Sequence, residues 1–360
     1  MVPEEEPPVL TGRHHLDLVA GQGLVRNHLG PGEGRIVLHA DHPMEYLVGS
    51  VGMSKSDSHT RPGAGAVPEP GPSPRVSVVV PIHNALPRAE QSVDSLLACT
   101  AAQNRILLLD DNSSDGRVWP RLESYRKLHP QIVAVRQQPN RGFTATINHG
   151  CRLAGRDDVV LLNSDTVVTP RWLEKLSSAA LSAPEVATVT PLSNAAGAFS
   201  VPVRGRDNRL PGQMSPADMA ALLESLSRRL YPRVPTGNGF CLYVRRRALD
   251  AVGPFDEEAF GQGCGEENDF CMRASQLGFV HLIDDTTYVH HHRSASLGRR
   301  KRWLLLRSSW ILRRRYPEYR HLVAAWLAAD PLDPLRARLQ AHLAAEPSAT
   351  PPAITGRTPD

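Results

Sequence analysis

The feature that most constrains this 360-residue chain is a series of short aliphatic runs, each ending in a polar cluster. Val76 to Pro81, Ser77 apart, and Ile106 to Leu109, Ile132 to Val135 and Val159 to Leu162 are apolar at consecutive positions. A strand wetted on one face alternates polar with apolar residues. One that is apolar throughout is buried on both faces, which requires a parallel sheet covered by helices. Stretches of helical pattern, Ala89 to Ala98, Val118 to Leu128 and Asn140 to Ala154, lie between the runs as crossover connections. The expectation is an α/β fold, and in such sheets ligands bind beyond the carboxyl ends of the strands.

The polar clusters stand at those ends. The first run leads into Pro81, Ile82, His83 and Asn84, the second into Asp110, Asp111, Asn112, Ser113 and Ser114, and a later one into Asn163, Ser164, Asp165 and Thr166. A single cluster of this kind is ordinarily a turn or a helix N-cap. Three at equivalent ends of one sheet converge on one crevice. There a carboxylate such as Asp111 can accept a hydrogen bond from a base ring N–H, and a planar side chain such as His83 can stack on the base. A lone carboxylate such as Asp165 facing a pyrophosphate would repel it by roughly 4 kcal/mol per unit charge pair at about 4 Å and an effective dielectric near 20. A divalent cation, Mn²⁺ or Mg²⁺, between them reverses the sign. Capping of a helix starting near Pro170 is the competing role for Asp165.

Two later segments add chemistry. Gly265, Glu266, Glu267, Asn268 and Asp269 gather three carboxylates ahead of a helical stretch through Leu277. Acidic residues suit a first helical turn through the helix dipole. The chemical reading is that one of Glu266, Glu267 and Asp269 is a general base for a hydroxyl, its pKa raised by its neighbours. His290, His291 and His292 follow a short strand, Thr287 to Val289. Alternation puts His291 on the opposite face from the other two, so one or two of them reach a site, where a neutral imidazole is a cation ligand beside Asp165.

Bulk properties set limits. The 41 Lys and Arg against 37 Asp and Glu give a net charge of +4, too balanced for a nucleic-acid binder. Five cysteines without a CxxC pair argue for a reducing cytosol rather than a disulfide framework. No signal-peptide pattern opens the chain, and no run of about 18 apolar residues occurs. The expected location is cytoplasmic. Residues 1–74 read as an extension with short strands at Arg35 to Leu38 and Tyr46 to Val48, ending in a Pro- and Gly-rich linker from Thr60 to Pro74. The core domain is expected over 75–298, a basic helical extension over 299–345 and a disordered tail over 346–360. In that extension Trp and Leu alternate with Arg clusters, which suits either packing on the domain or peripheral contact with the inner face of the plasma membrane.

Seven segments, VSVVVPIHN, LLLDDNSSDG, NRGFTATINHG, VVLLNSDTVVTPRWLEKL, GNGFCLYVRRRALDAVGPFDE, FGQGCGEENDF and VHHHRSAS, resemble in their order glycosyltransferase family 2, its bacterial rhamnosyltransferase-like and O-antigen or cell-wall polysaccharide branch. The resemblance implies a GT-A fold, a mostly parallel Rossmann-like sheet flanked by helices, and an inverting hexosyl or deoxyhexosyl transfer from a nucleotide-sugar donor to a glycan or lipid-linked acceptor. It implies that Pro81, His83, Asn84, Asp110 and Asp111 bind the nucleotide, with Arg141, Asn148 and Ser164 on the nucleotide-sugar wall. Asp165 stands at the last acid of the family's metal motif, here Asn163, Ser164, Asp165 with a single carboxylate, and His291 is the implied second ligand. Glu267 falls at the usual base, with Glu266 and Asp269 as rivals, and Cys264 takes a place in the acceptor subsite often held by an aromatic residue. A nucleotide-sugar-binding partner without catalysis is the alternative function.

Overall fold

A computed structural model of the protein describes residues 75–293 and 298–345, with the side chains of 298–302 left out. The expectations for 1–74 and for the tail from 346 onward lie outside the described residues.

The chain begins with β1 (Val76–Ile82), α1 (Leu86–Cys99), β2 (Arg105–Asp110), α2 (Val118–Leu128), β3 (Ile132–Arg136), α3 (Phe143–Ala154) and β4 (Asp158–Leu162). These four strands run parallel in the order β3-β2-β1-β4. Then follow β5 (Thr166–Val167), α4 (Trp172–Ala180), β6 (Val186–Leu192), α5 (Pro216–Leu226), β7 (Arg233–Val234), β8 (Cys241–Val244), α6 (Arg246–Val252), α7 (Glu257–Phe260), α8 (Glu266–Gln276), β9 (Val280–Tyr288) and β10 (His290–His291). β8, β6, β9 and β7 extend the sheet to eight strands. β8 lies antiparallel to both β4 and β6, and β7 antiparallel to β9, so the sheet is mostly parallel with two reversed members. The reversal of β8 is invisible in its sequence. Cys241–Val244 is buried at every position, and burial on both faces restricts residue type without restricting chain direction.

Alternate residues of β1 serve opposite layers. Val76, Val78, Val80 and Ile82 join a core with Val93 and Leu96 of α1, Leu122 of α2 and Trp172 of α4. Val79 packs with Leu107 and Leu109 of β2 against Ile147 and Cys151 of α3. Full burial of each such side chain contributes about 1.5–3 kcal/mol. α3 sits unusually close to the sheet because of Gly150. A Cβ there would lie 2.3 Å from Val79 Cγ1 and 2.9 Å from Leu109 Cδ1.

The far end of β9 is bent. Asp284 pairs with Pro191 and the next register partner, Tyr288, pairs with Leu192, so residues 285–287 bulge from the ladder. The buried Asp284 holds the bulge, accepting from Thr286 N–H at 2.9 Å, Thr286 Oγ1 at 2.6 Å and Thr287 Oγ1 at 2.5 Å. The redirected chain then pairs as β10 with β5. The basic extension forms three helices, α9 (Gly298–Arg315), α10 (Tyr319–Ala329) and α11 (Asp333–Ala345), separated where Pro317 and Pro331 cannot continue a helix. α9 packs Leu312 with Phe260 and Met272, and α11 packs Leu335 and Leu339 into the main core with Met219 and Leu223.

Candidate active site

β1 and β2 end side by side, with Ile82 paired to Asp110. Pro81 lies past the last pairing with β4 at Val79, where its missing N–H costs no ladder bond. The Asp111 carbonyl accepts from Asn140 Nδ2 at 2.7 Å, and His83 Nδ1 lies 3.1 Å from that carbonyl and 3.3 Å from Asn140 Nδ2. The His83 ring stays exposed at the crevice. Asn84, at a left-handed φ of 60°, donates its N–H to Ser113 Oγ at 2.8 Å and accepts from Asp115 N at 3.0 Å, tying the two loops together.

The two aspartates after β2 do different work. Asp110 is fully buried, accepts from Ser113 N at 2.8 Å and pairs with Arg136 Nε at 3.2 Å. Asp111 receives Arg141 N at 2.7 Å on one oxygen and Gly142 N at 2.9 Å on the other. This grip holds Asn140 to Gly142 off the helix expected from Asn140, which starts at Phe143 instead. Gly142 has φ +86°, and a Cβ on it would lie 2.4 Å from the Gly261 carbonyl oxygen, so no other residue fits. Gln137 Nε2 also donates to the first oxygen at 3.5 Å, which leaves the second lone pair of Oδ2 uncommitted. Arg141 is exposed beside it. Asn148 is placed elsewhere. Its amide donates to Phe255 O and Glu257 Oε1, both at 2.8 Å, and its oxygen accepts from Phe255 N at 3.0 Å, which makes it a latch between α3 and the segment before α7.

At the end of β4, the pairing of β5 with β10 sets His291 opposite Thr166. His291 Nε2 then lies 3.3 Å from Asp165 Oδ1. The Nδ1 of the same ring is 3.1 Å from the Ala195 carbonyl, so the ring lies between two acceptors, and the tautomer protonated on Nδ1 turns an Nε2 lone pair toward the carboxylate. Two acceptors so close repel unless a proton or a cation lies between them. The ring stacks on Phe240 with centroids 5.4 Å apart and planes at 16°. Asn194 clamps the His291 backbone, accepting its N–H at 2.8 Å and donating to its carbonyl at 3.0 Å. His290 and His292 meet edge to face at 4.8 Å and line the same groove as His291, and His292 donates its backbone N–H to the Asp165 carbonyl at 2.9 Å. Ser164 is half-buried beside Asp165. α4 starts at Trp172 without a side-chain cap, so Asp165 does not cap it. A groove of about 330 Å³, lined among others by Asn194, Asp207, Arg209, His291 and Arg293, opens here.

Carboxylate oxygen with imidazole nitrogen is a donor set that Mn²⁺ and Mg²⁺ accept. Among the described residues no group of three or more His, Cys, Asp or Glu is gathered to hold a metal. Asp165 and His291 therefore fit a cation that completes its shell with substrate phosphates and water.

The three carboxylates of α8 are divided by their surroundings. Asp269 is fully buried and accepts from Arg273 Nε at 2.9 Å, Arg315 Nη1 at 2.8 Å and Tyr316 OH at 2.9 Å. It ties α8 to α9, and its oxygens are committed to these donors. Glu266 is 4% exposed, and its Oε2 is buried without a hydrogen-bond partner. Glu267 is half-buried, accepting from Gly265 N and Asn268 Nδ2, both at 3.2 Å. Burial pushes both glutamates above the usual carboxylate range, and the adjacent Glu267 charge pushes Glu266 further. Both face Gly239, where a Cβ would lie 3.5 Å from Glu267 Cδ and 3.8 Å from Glu266 Oε1. The next residue, Phe240, carries the ring stacked on His291. Adjacent residues thus touch the two groups, Gly239 the glutamate pair and Phe240 the His291 ring. Cys264 stands just ahead of this turn at a left-handed φ of 70°.

Sequence reasoning passed over Asn140, Asn194 and Arg336. Arg336 of α11 is 3% exposed and donates Nε to Ser200 O at 3.0 Å and Nη2 to Ala198 O. That turn returns to Ser193, whose carbonyl accepts from Val201 N at 2.9 Å, next to the Asn194 clamp. Nothing local in the sequence marks Asn194 or Arg336, because their partners come from distant segments. Phe240 lay within the quoted GNGF segment without being singled out.

Residues 77–253 match the family model described as Glycosyl transferase family 2. The chain is 26% identical over 245 residues to the O-antigen biosynthesis protein RfbC of Myxococcus xanthus, a match covering 62% of this chain and 18% of that protein. It is likewise 26% identical over 243 residues to the N-acetylglucosaminyl-diphospho-decaprenol L-rhamnosyltransferase of Mycobacterium tuberculosis, covering 62% of this chain and 77% of that one. Among solved structures, a mannosyltransferase from Pyrobaculum calidifontis in complex with GDP-Man and Mn²⁺ aligns with a TM-score of 0.51 at 21% identity, covering 78% of each chain. GalNAc-T7 with UDP, GalNAc and Mn²⁺ aligns with a TM-score of 0.54 at 17% identity, covering 76% of this chain and 55% of that one. At these identities the two structures speak for the fold.

Proposed function

The chain belongs to glycosyl transferase family 2, with its GT-A fold, and on that premise we propose that it is an inverting transferase. It would move a hexosyl or deoxyhexosyl unit from a nucleotide-diphosphate donor to a hydroxyl of a glycan or lipid-linked acceptor, on the cytoplasmic side, in bacterial polysaccharide synthesis. The observation that carries the reading is the link through adjacent Gly239 and Phe240 between the Glu266 and Glu267 pair and the Asp165 and His291 pair. The names of the Myxococcus and Mycobacterium relatives support the acceptor class and a deoxyhexose donor.

In this reading His83 stacks on the base, and Asp111 uses the remaining lone pair of Oδ2 for a base N–H while fixing the turn at Arg141. Asp165 and His291 would hold a divalent cation, which supplies Lewis-acid stabilisation of the departing diphosphate. Glu267 is the more accessible glutamate and takes the proton from the acceptor hydroxyl as its oxygen attacks the anomeric carbon. The bond from that carbon to the diphosphate breaks with its electron pair on the leaving oxygen, and a single displacement inverts the configuration. Glu266, more deeply buried, keeps its proton and holds the pair at one negative charge. The reaction belongs to residues 75–298.

Screening nucleotide sugars by thermal shift with Mn²⁺ identifies the donor. Metal-stimulated hydrolysis of that donor is expected to vanish in Asp165→Ala. Hydrolysis that keeps its full metal response in this variant would sink the site assignment. Donor binding with no transfer to any acceptor would favour the non-catalytic partner.

A further inference from the structure

Helix α9 has two faces. Leu304, Ser308 and Leu312, spaced i, i+4, i+8, are buried on the side that packs beside Phe260 and Met272. Trp303, Leu306 and Trp310, spaced i, i+3, i+7, are 62%, 69% and 56% exposed. At about 100° per residue these three form one outward stripe, opposite the packed side. Four of the eight exposed large apolar residues among those described, the three above and Leu305, belong to this one helix. Arg313 and Arg314 continue the stripe into the next turn, and the Arg314 guanidinium lies 5.5 Å from the Trp310 ring centroid.

The charge around the stripe indicates what covers it. α9 contains eight Arg and Lys and no acidic residue, whereas the whole chain carries only +4. A second copy seated on this face would bring two such clusters together, which is repulsive. A nucleic acid would satisfy the arginines and leave the Trp and Leu stripe facing water. An anionic lipid surface satisfies both, because its phosphates pair with Arg and its interfacial layer takes up indole rings and Leu. No helix among the described residues is long and apolar enough to cross a membrane, so this contact is one of lying on the surface.

We propose that α9 is a peripheral docking helix for an anionic bilayer, with Trp303, Leu306 and Trp310 inserted at the interface and Arg313 and Arg314 at the lipid phosphates. The proposal stands on the helix alone. If the transferase reading holds, it also places the site at the surface that presents a lipid-linked acceptor.

The test is co-sedimentation of the full chain with phosphatidylcholine vesicles made with and without phosphatidylglycerol. Binding is expected only to the anionic vesicles and weakens as salt rises. The variants W303S/L306S/W310S and R313E/R314E are each expected to lower binding by about tenfold or more while keeping the wild-type thermal transition, since these side chains are exposed. Wild-type protein that ignores the anionic vesicles overturns the proposal, as does a stripe variant that binds as well as wild type. Equal affinity for duplex DNA, or a dimer in sedimentation equilibrium that the stripe variant dissolves, overturns it in favour of those partners. Donor hydrolysis retained in the stripe variant separates this outcome from any failure of the transferase reading.

Discussion

Glu266, Glu267 and Asp269 sit within one turn of α8, yet their lone pairs have different claimants. Two guanidinium groups and a phenol take Asp269, while Glu267 accepts at 3.2 Å from Gly265 N and Asn268 Nδ2 and meets the Gly239 backbone N–H. Glu267→Gln keeps the shape and removes the basicity. Transfer is therefore expected to fall by about 10²–10⁴ with donor affinity unchanged, as measured by steady-state kinetics beside donor titration. Asp269→Asn leaves Arg273 without its counter-charge and Arg315 with Asp256 alone. Because both arginines are partly exposed, the expected loss is about 2 kcal/mol in denaturant unfolding rather than that of a wholly buried pair. The raised pKa of the glutamate pair also has a kinetic sign. The base must be ionised, so the acid limb of the pH–rate profile is expected above 4.5, the ordinary Glu value.

Elements reach the site through glycine contacts and carbonyl clamps. α3 rests on the sheet at Gly150, and Gly150→Ala forces Val79 and Leu109 aside. The expected cost is about 1–3 kcal/mol, read as a lower denaturation midpoint with the slope unchanged. α11 acts at longer range, its Arg336 gripping the turn that leads back to Asn194 and so to His291. Arg336→Met is expected to raise the Mn²⁺ concentration needed for half-maximal donor binding by a few fold, with Arg336→Lys recovering part of the loss. An unchanged Mn²⁺ titration would reduce Arg336 to a packing role. The parallel strands and their helices were legible because they rest on local apolar patterns. The bulge at Asp284 to Thr287, which bends β9 so that β10 can meet β5, was not, since it depends on the mismatch between β6 and β9.

For the molecule as a whole, buried titratable groups set the pH range of stability. Burial pushes His281 down to about 4 from the usual 6.5, with its ring held between Thr188 Oγ1 at 2.8 Å and Cys271 O at 2.9 Å. The unfolded chain then binds a proton that the folded one refuses. This contribution is full above pH 6.5 and is lost as pH falls toward 4, on the order of 3 kcal/mol in all. Thermal unfolding should show the melting temperature dropping across that window, with a shallower slope in His281→Gln. The raised glutamates act in the opposite sense, favouring the fold at low pH and losing that advantage as pH rises through their folded values.

The sequence by itself determined the α/β class, the strands of the parallel half, the polar clusters at their ends and the family, because buried strands and loop motifs are written in consecutive residues. Tertiary structure decided which of those residues meet. The direction of β8, the placing of Asn148 as a latch, the engagement of Asp269 by Arg315 and Tyr316 and the approach of His291 to Asp165 all follow from contacts between distant segments. A side chain's chemistry depends on which donors, acceptors and charges the fold brings to its lone pairs, and local sequence does not record that choice.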